Sequence, residues 1–209
     1  MKPPAPAPSP FTCEICLLAG GLSTRMGRDK ARLRLGRRTL LGHVRAAARA
    51  TGRPVRLIRR DLVARCGPLG GIYTALKTSR ADAVLFLACD MPFVSAELLQ
   101  KLLRRAPRSR AVFTGGTDRA GFPFLLRRAT LPVVESQLAA QKFSIQSLAK
   151  KLRAKIILPP GGPDELFNIN TPVDWRAARL RLLTTEHFPI PRTNSVQLPV
   201  PPPTLPAHD

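Results

Sequence analysis

The sequence predicts an α/β protein, a doubly wound three-layer sandwich with a mostly parallel central sheet. Three observations carry that expectation. Short apolar runs alternate with stretches of helical spacing along the 209 residues, the pattern that packs helices on both faces of a parallel sheet. One run, Ala83-Val84-Leu85-Phe86-Leu87-Ala88, is apolar throughout, as a strand buried on both faces must be. The first run, Glu14 to Leu18, passes straight into a glycine-rich loop, and in such sheets ligands bind at the carboxyl ends of the strands.

The elements follow in order. After the glycine loop, Leu40, Leu41, Val44, Ala47 and Ala48 have helical spacing, and Gly52 with Pro54 stops that helix. Val55 to Ile58 reads as a second strand, and Gly67-Pro68-Leu69-Gly70-Gly71 as a turn opening a helix through about Thr78. Past the apolar run, Ser95 can cap a helix whose core stripe is Leu98, Leu99, Leu102 and Leu103. Ala111 to Thr114 and Phe122 to Leu126 are further strands. Helical spacing then covers Leu131 to Leu152, with a break expected near Phe143-Ser144. Lys155 to Leu158 and Leu166 to Ile169 resume strand character. Thr171 as N-cap, Pro172 at the first helical position and Asp174 in the first turn open a last helix.

Composition bounds the rest. The expected domain is 13–185, between a Pro/Ala leader, 1–12, and a proline-rich tail, 186–209, both read as disordered. No apolar run is long enough for a membrane span, so a soluble protein is expected, and the cysteine usage suits a cytoplasmic one. Cys13 and Cys16 form a CxxC without a second pair, which reads as buried reduced thiols better than as a zinc or redox site. The formal charge of +21 predicts attraction to phosphates. The arginines are scattered and aromatics are few, which argues against a nucleic-acid reader.

Four motifs carry chemistry. In Leu18-Ala19-Gly20-Gly21-Leu22-Ser23-Thr24-Arg25-Met26-Gly27-Arg28-Asp29-Lys30, adjacent glycines let backbone N–H groups approach a ligand. Arg25 and Lys30 add two cations for a polyphosphate. The spacing fits neither a Walker A loop nor a Rossmann fingerprint; a plain strand-to-helix turn with solvated cations is the bland alternative. Cys89-Asp90-Met91-Pro92-Phe93 puts a carboxylate at the end of the most buried strand. Asp90 there can hold Mg²⁺ beside phosphate oxygens, or simply form a local turn. Asp61, after Arg59-Arg60 and before the Gly67 turn, offers an acceptor for guanine's N1–H and N2–H₂ donors, or a surface ion pair with Arg59 or Arg65. Asn168-Ile169-Asn170-Thr171-Pro172 puts two amides on one face of an extended segment. His43, His187 and His208 form no constellation, so nucleophilic acyl transfer is not suggested.

Together these motifs, in this order and spacing, resemble the molybdenum cofactor guanylyltransferases, within the wider group of sugar and isoprenoid nucleotidyltransferases. The resemblance covers about Glu14 to Leu183 and implies the nucleotide-diphospho-sugar transferase fold. It implies that Leu18, Ala19 and Gly20 are backbone contacts to GTP, and that Lys30 and Arg25 face its phosphates. It makes Asp61 the guanine-side carboxylate and Asp90 both a GTP contact and the Mg²⁺ ligand. The implied catalytic set is Arg25, Lys30 and Asp90. The implied reaction joins GMP from GTP to molybdenum-bearing molybdopterin with release of pyrophosphate, and the implied protein partners are molybdoenzymes or other cofactor-biosynthesis proteins. Two departures stand out: the stretch between the first helix and the Gly67 turn is cut to Gly52 through Asp61, and Phe122-Pro123 stands where several members carry a polar residue before the proline. A CTP-using transferase of the same fold, a non-catalytic cofactor-delivery protein and a charge-driven nucleic-acid binder are the competing readings.

Overall fold

The sheet is built around β5 (Ala83–Ala88), where five of six residues are buried. β1 (Cys13–Leu18) pairs with it in parallel from Cys13↔Ala83 to Leu18↔Ala88. On the other side of β1 lies β4 (Val55–Ile58), also parallel, with Leu18 opposite Ile58. The computed structural model describes residues 11–19, 33–116 and 119–187. Beyond β5 the order continues through β7 (Ala120–Arg127), β6 (Ala111–Gly115) and β8 (Lys155–Ile157), giving β4-β1-β5-β7-β6-β8. β7 is antiparallel to both neighbours, while β6 and β8 pair in parallel. Five strands therefore run one way and end on one edge.

Helices cover both faces, as the alternating pattern predicts. α1 (Leu40–Arg49) and α3 (Ala96–Leu103) pack Val44, Ala48, Leu98, Leu99 and Leu102 on Ile15, Leu17, Leu85 and Leu87. α2 (Pro68–Thr78), α4 (Leu131–Ala139) and α5 (Ile145–Lys151) pack Ile72, Val134 and Leu148 on Cys16, Val84, Phe86 and Phe124. Stacking of Phe124 on Phe113, with centroids 4.5 Å apart, and on Phe86 at 5.1 Å fills the second layer. Burying one such side chain contributes about 1.5–3 kcal/mol. Ser95 accepts from the Leu98 N–H and Ser144 from the Ser147 N–H. The second of these caps is why the long helical stretch breaks into α4 and α5 where expected.

Cys13 and Cys16 are three apart on one strand and so point to opposite faces. Each belongs to a different core layer, and both are free thiols. Burial, with the nearby Glu14 carboxylate adding to it, pushes the Cys16 thiol up to about 12.

Two features differ from the sequence reading. A small hairpin, β2 (Arg34–Leu35) and β3 (Arg38–Thr39), turns through Gly36 at φ +60, a conformation that glycine adopts without strain. The strand expected over Leu166 to Ile169 is absent: Pro163–Leu166 is a short 3₁₀ turn. The following residues join no ladder because the chain crosses the sheet edge there, and the Ile169 N–H goes to the Asp90 carbonyl (2.9 Å). Ile169 is fully buried with Leu35, Leu40 and Ala178. That cluster fastens α6 (Pro172–His187) and the hairpin to the site edge.

Candidate functional site

The register brings three strand ends level. Leu18 lies opposite both Ile58 and Ala88, so Ala19, Arg59 and Cys89 start three loops at one height. The Ala19 N–H extends the pairing by one bond, to the Ile58 carbonyl at 3.0 Å. β4 and β5 flank β1, and neighbouring strands are about 4.8 Å apart, which leaves about 10 Å between the loops carrying Asp61 and Asp90. The glycine-rich loop departs between them. Gly20, Arg25 and Lys30 lie outside the described residues.

Asp61 sits in the turn after β4, folded back on the first turn of α2. A Cβ on Gly70 would stand 2.9 Å from one carboxylate oxygen, and one on Gly71 would stand 3.3 Å from the other. The two glycines of the Gly67 turn thus serve close approach: at Gly70 the same Cβ would meet the Val63 carbonyl at 2.8 Å. Thr74 locks the arrangement, its hydroxyl accepting from the Leu62 N–H and donating to the Gly70 carbonyl, each at 2.8 Å. Asp61 makes no ion pair with Arg59 or Arg65 among the described residues. Desolvation alone raises its pKa, so the charged form opposes folding once pH passes the ordinary carboxylate range. The carboxylate therefore has acceptor capacity that the fold itself does not neutralise.

Asp90 is half-buried in the turn that leaves β5. Met91 and Val94, 1 % and 4 % exposed, anchor this turn in the core beneath α3. The Ile169 N–H bond to the Asp90 carbonyl docks the Asn168–Asn170 segment against the same turn. Asn168 and Asn170 are exposed on either side of buried Ile169, as the two-residue alternation predicts. The Asn170 and Thr171 N–H groups both go to the Asp174 carboxylate (2.9 and 2.8 Å), and the Asp174 N–H returns to the Thr171 hydroxyl (3.1 Å). That reciprocal cap fixes the segment where α6 starts.

Among the described residues no group of three His, Cys, Asp or Glu could hold a metal. A single carboxylate at a strand end suits Mg²⁺, which takes one or two carboxylates and fills its shell with phosphate oxygens and water. Asp90 is compatible with that ion. His43 is engaged elsewhere, its Nε2 on the Leu35 carbonyl at 2.8 Å. Thr74 is the residue that reading the sequence missed. Its signal was spacing: four residues after Gly70, it lies on the same face of α2 as that glycine.

The chain matches the MobA-like NTP transferase domain over residues 15–156. It is 32% identical over 187 residues to the molybdenum cofactor guanylyltransferase of Pseudomonas putida, across 77% of this chain and 94% of that one. The molybdopterin-guanine dinucleotide biosynthesis protein A from Archaeoglobus fulgidus superposes with a TM-score of 0.67 at 20% identity, over 82% of this chain and 99% of its own. The 2-C-methyl-D-erythritol 4-phosphate cytidylyltransferase of Thermus thermophilus gives 0.62 at 19% identity, over 82% and 98%. These two structures share the nucleotide-diphospho-sugar transferase fold with this chain.

Proposed function

Because the chain belongs to the MobA-like NTP transferase family and is thereby a nucleotidyltransferase, we propose that it transfers GMP from GTP to molybdenum-bearing molybdopterin. The products are the guanine dinucleotide cofactor and pyrophosphate. The observation that carries the choice of nucleotide is Asp61, a partly desolvated carboxylate without an ion pair among the described residues, held on Gly70 and Gly71. An ionised carboxylate only accepts hydrogen bonds, and through two oxygens. Guanine's adjacent N1–H and N2–H₂ match it; cytosine and adenine do not present that pair of donors.

The base then lies at the β4 side, the triphosphate crosses β1, and the acceptor enters beyond β5. Leu18, Ala19 and Gly20 present backbone to the nucleotide. Arg25 and Lys30 neutralise the phosphates, and Asp90 would hold Mg²⁺, which would supply charge neutralisation at the phosphate oxygens. The terminal phosphate of the pterin attacks the α-phosphorus in line. A new P–O bond forms, the bond to the bridging α–β oxygen breaks, and pyrophosphate leaves with that electron pair. The nucleophile is already anionic, so no general base is needed, and the residues act by positioning and electrostatics. The substrates imply a cytoplasmic protein; no helix among the described residues is long and apolar enough to cross a membrane.

A CTP-using transferase is the second reading, supported by the shared fold with a cytidylyltransferase and by the short Gly52–Asp61 stretch, which leaves β4 as an edge strand. Calorimetry with GTP, CTP and ATP, with and without Mg²⁺, separates the readings. The expected result is Mg²⁺-dependent binding with at least tenfold preference for GTP. A preference for CTP changes the product, and no nucleotide binding overturns the proposal. Asp90→Ala is expected to abolish pyrophosphate release without lowering the melting temperature; normal release in that variant removes Asp90 from the metal site.

A further inference from the structure

The two edges of the sheet differ in their balance of charge. The carboxyl edge carries the site and, among the described residues, mixes the acids Asp61, Asp90, Glu97, Asp164, Glu165 and Asp174 with Arg59, Arg60, Arg65 and Arg119. The opposite edge collects every turn that returns from a helix to a strand start, together with the end of antiparallel β7. The turn before β4 brings Arg53, and the turn before β5 brings Arg80. The segment from α3 to β6 brings Arg104, Arg105, Arg108 and Arg110. β7 ends in Arg127 and Arg128, whose N–H groups bond the Arg110 and Asp82 carbonyls (3.0 and 2.8 Å) and so lie beside those turns. Arg153 and Lys155 complete the edge at the start of β8.

All of these except Arg127 are exposed, and none is in an ion pair with a described carboxylate. Asp82 is the acid among them, and it is occupied by the Thr12 N–H and hydroxyl, both at 2.9 Å. Glu14 and Glu135, further along the flanks, are paired with Arg56 and Lys77. Cations at helix C-termini favour the helix dipole, which accounts for Arg49 or Lys101 in the last turns of α1 and α3. It does not account for arginines in the turns themselves. Held close together at like charge, these residues repel one another; against that stand the contact of Arg127 with the Phe11 ring and the attraction of Arg127 and Arg128 for Asp82.

We propose that this edge is a docking surface for an acidic segment of a partner protein. Guanidinium forks pair with carboxylates in a bidentate way, and six strands at about 4.8 Å spacing span about 24 Å, the length of about seven extended residues. A cavity of about 350 Å³ opens between Asp82, Arg127 and Arg128, with Ala129, Leu131 and Pro132 as apolar walls. An apolar side chain flanked by carboxylates fits that cavity, and a phosphodiester backbone carries no such group. Among the described residues no aromatic side chain is fully exposed on this edge, and Ile156, beside Lys155, is the exposed large hydrophobic nearest to it. Phe11 lies under the Arg127 guanidinium, 5.2 Å from its ring centre. Docking here leaves the carboxyl edge open to substrates, so a partner can be held while the site turns over.

The test uses the full chain and a labelled decapeptide of glutamates with one central leucine, measured by fluorescence anisotropy at physiological salt. The leucine is expected to strengthen binding at least threefold over a serine in its place. Arg105→Glu, Arg108→Glu and Arg128→Glu together are expected to weaken peptide binding at least tenfold and leave nucleotide binding unchanged. A control with the same charge change elsewhere, Arg37→Glu, Arg45→Glu and Arg176→Glu, is expected to weaken it less than twofold. Equal losses in the two variants, no binding of the peptide, or tighter binding of a 12-base-pair DNA duplex or of phosphatidylserine vesicles overturns the proposal.

Discussion

At the scale of single residues, the site depends on how closely Asp61 is held to α2. Thr74 is 7 % exposed and bridges the Leu62 N–H to the Gly70 carbonyl. Thr74→Val keeps the shape but removes the hydrogen bond to the part-buried Leu62 N–H, a loss of about 0.5–1.5 kcal/mol. We expect this variant to raise KM for GTP at least fivefold with a smaller effect on kcat, and Thr74→Ser to restore the wild-type values. Unchanged GTP kinetics in Thr74→Val would remove the positioning role. Asp61 and Asp90 stood out as candidates in the sequence because they follow apolar runs by three and two residues, where a strand must surrender its chain to a loop. Thr74 was not, because its role depends on a backbone N–H twelve residues earlier that only the fold brings beside it.

At the scale of elements, strand starts are tied as deliberately as strand ends. The Asp82 carboxylate accepts from Thr12 twice, and the Asp82 N–H returns to the Thr12 hydroxyl at 3.1 Å, which clamps the entry of β5 to that of β1. These bonds hold the Asp82 carboxyl below the usual carboxylate range. A depressed folded-state pKa contributes stability that is present above the unfolded value and lost as pH falls through the folded one. Asp82→Ala is therefore expected to lower the melting temperature at neutral pH, with the gap closing as the solution is acidified below that range. A gap that stays constant would show that Asp82 acts without its charge. The buried strand β5 and the break before α5 were readable from local pattern, since burial and capping leave a periodic trace. The segment 166–169 misled that reading: it is extended and partly buried, but its Ile169 N–H bonds a loop carbonyl instead of a sheet neighbour.

At the scale of the molecule, a net charge of +21 sits on a fold whose turns gather much of it on one edge. Self-repulsion of that size opposes compaction, and salt screens it over a Debye length of about 8–10 Å near physiological strength. Raising sodium chloride from about 0.05 to about 0.5 M, which shortens that length several-fold, is expected to raise the melting temperature. A flat or falling dependence would mean that the cations are already compensated. The sequence by itself determined the layered α/β class, the order of the main strands and helices apart from the β2–β3 hairpin and the segment 166–169, and four candidate loops for the chemistry. It did so because apolar periodicity, glycines and caps act over a few neighbouring residues. Only the tertiary structure decided that β7 runs against its neighbours, that Asp61 rests on Gly70 without an ion pair among the described residues, that Ile169 docks on Asp90, and that one edge collects ten described cations with a single acid. Each of those depends on which distant segments meet, and no local pattern encodes the partner.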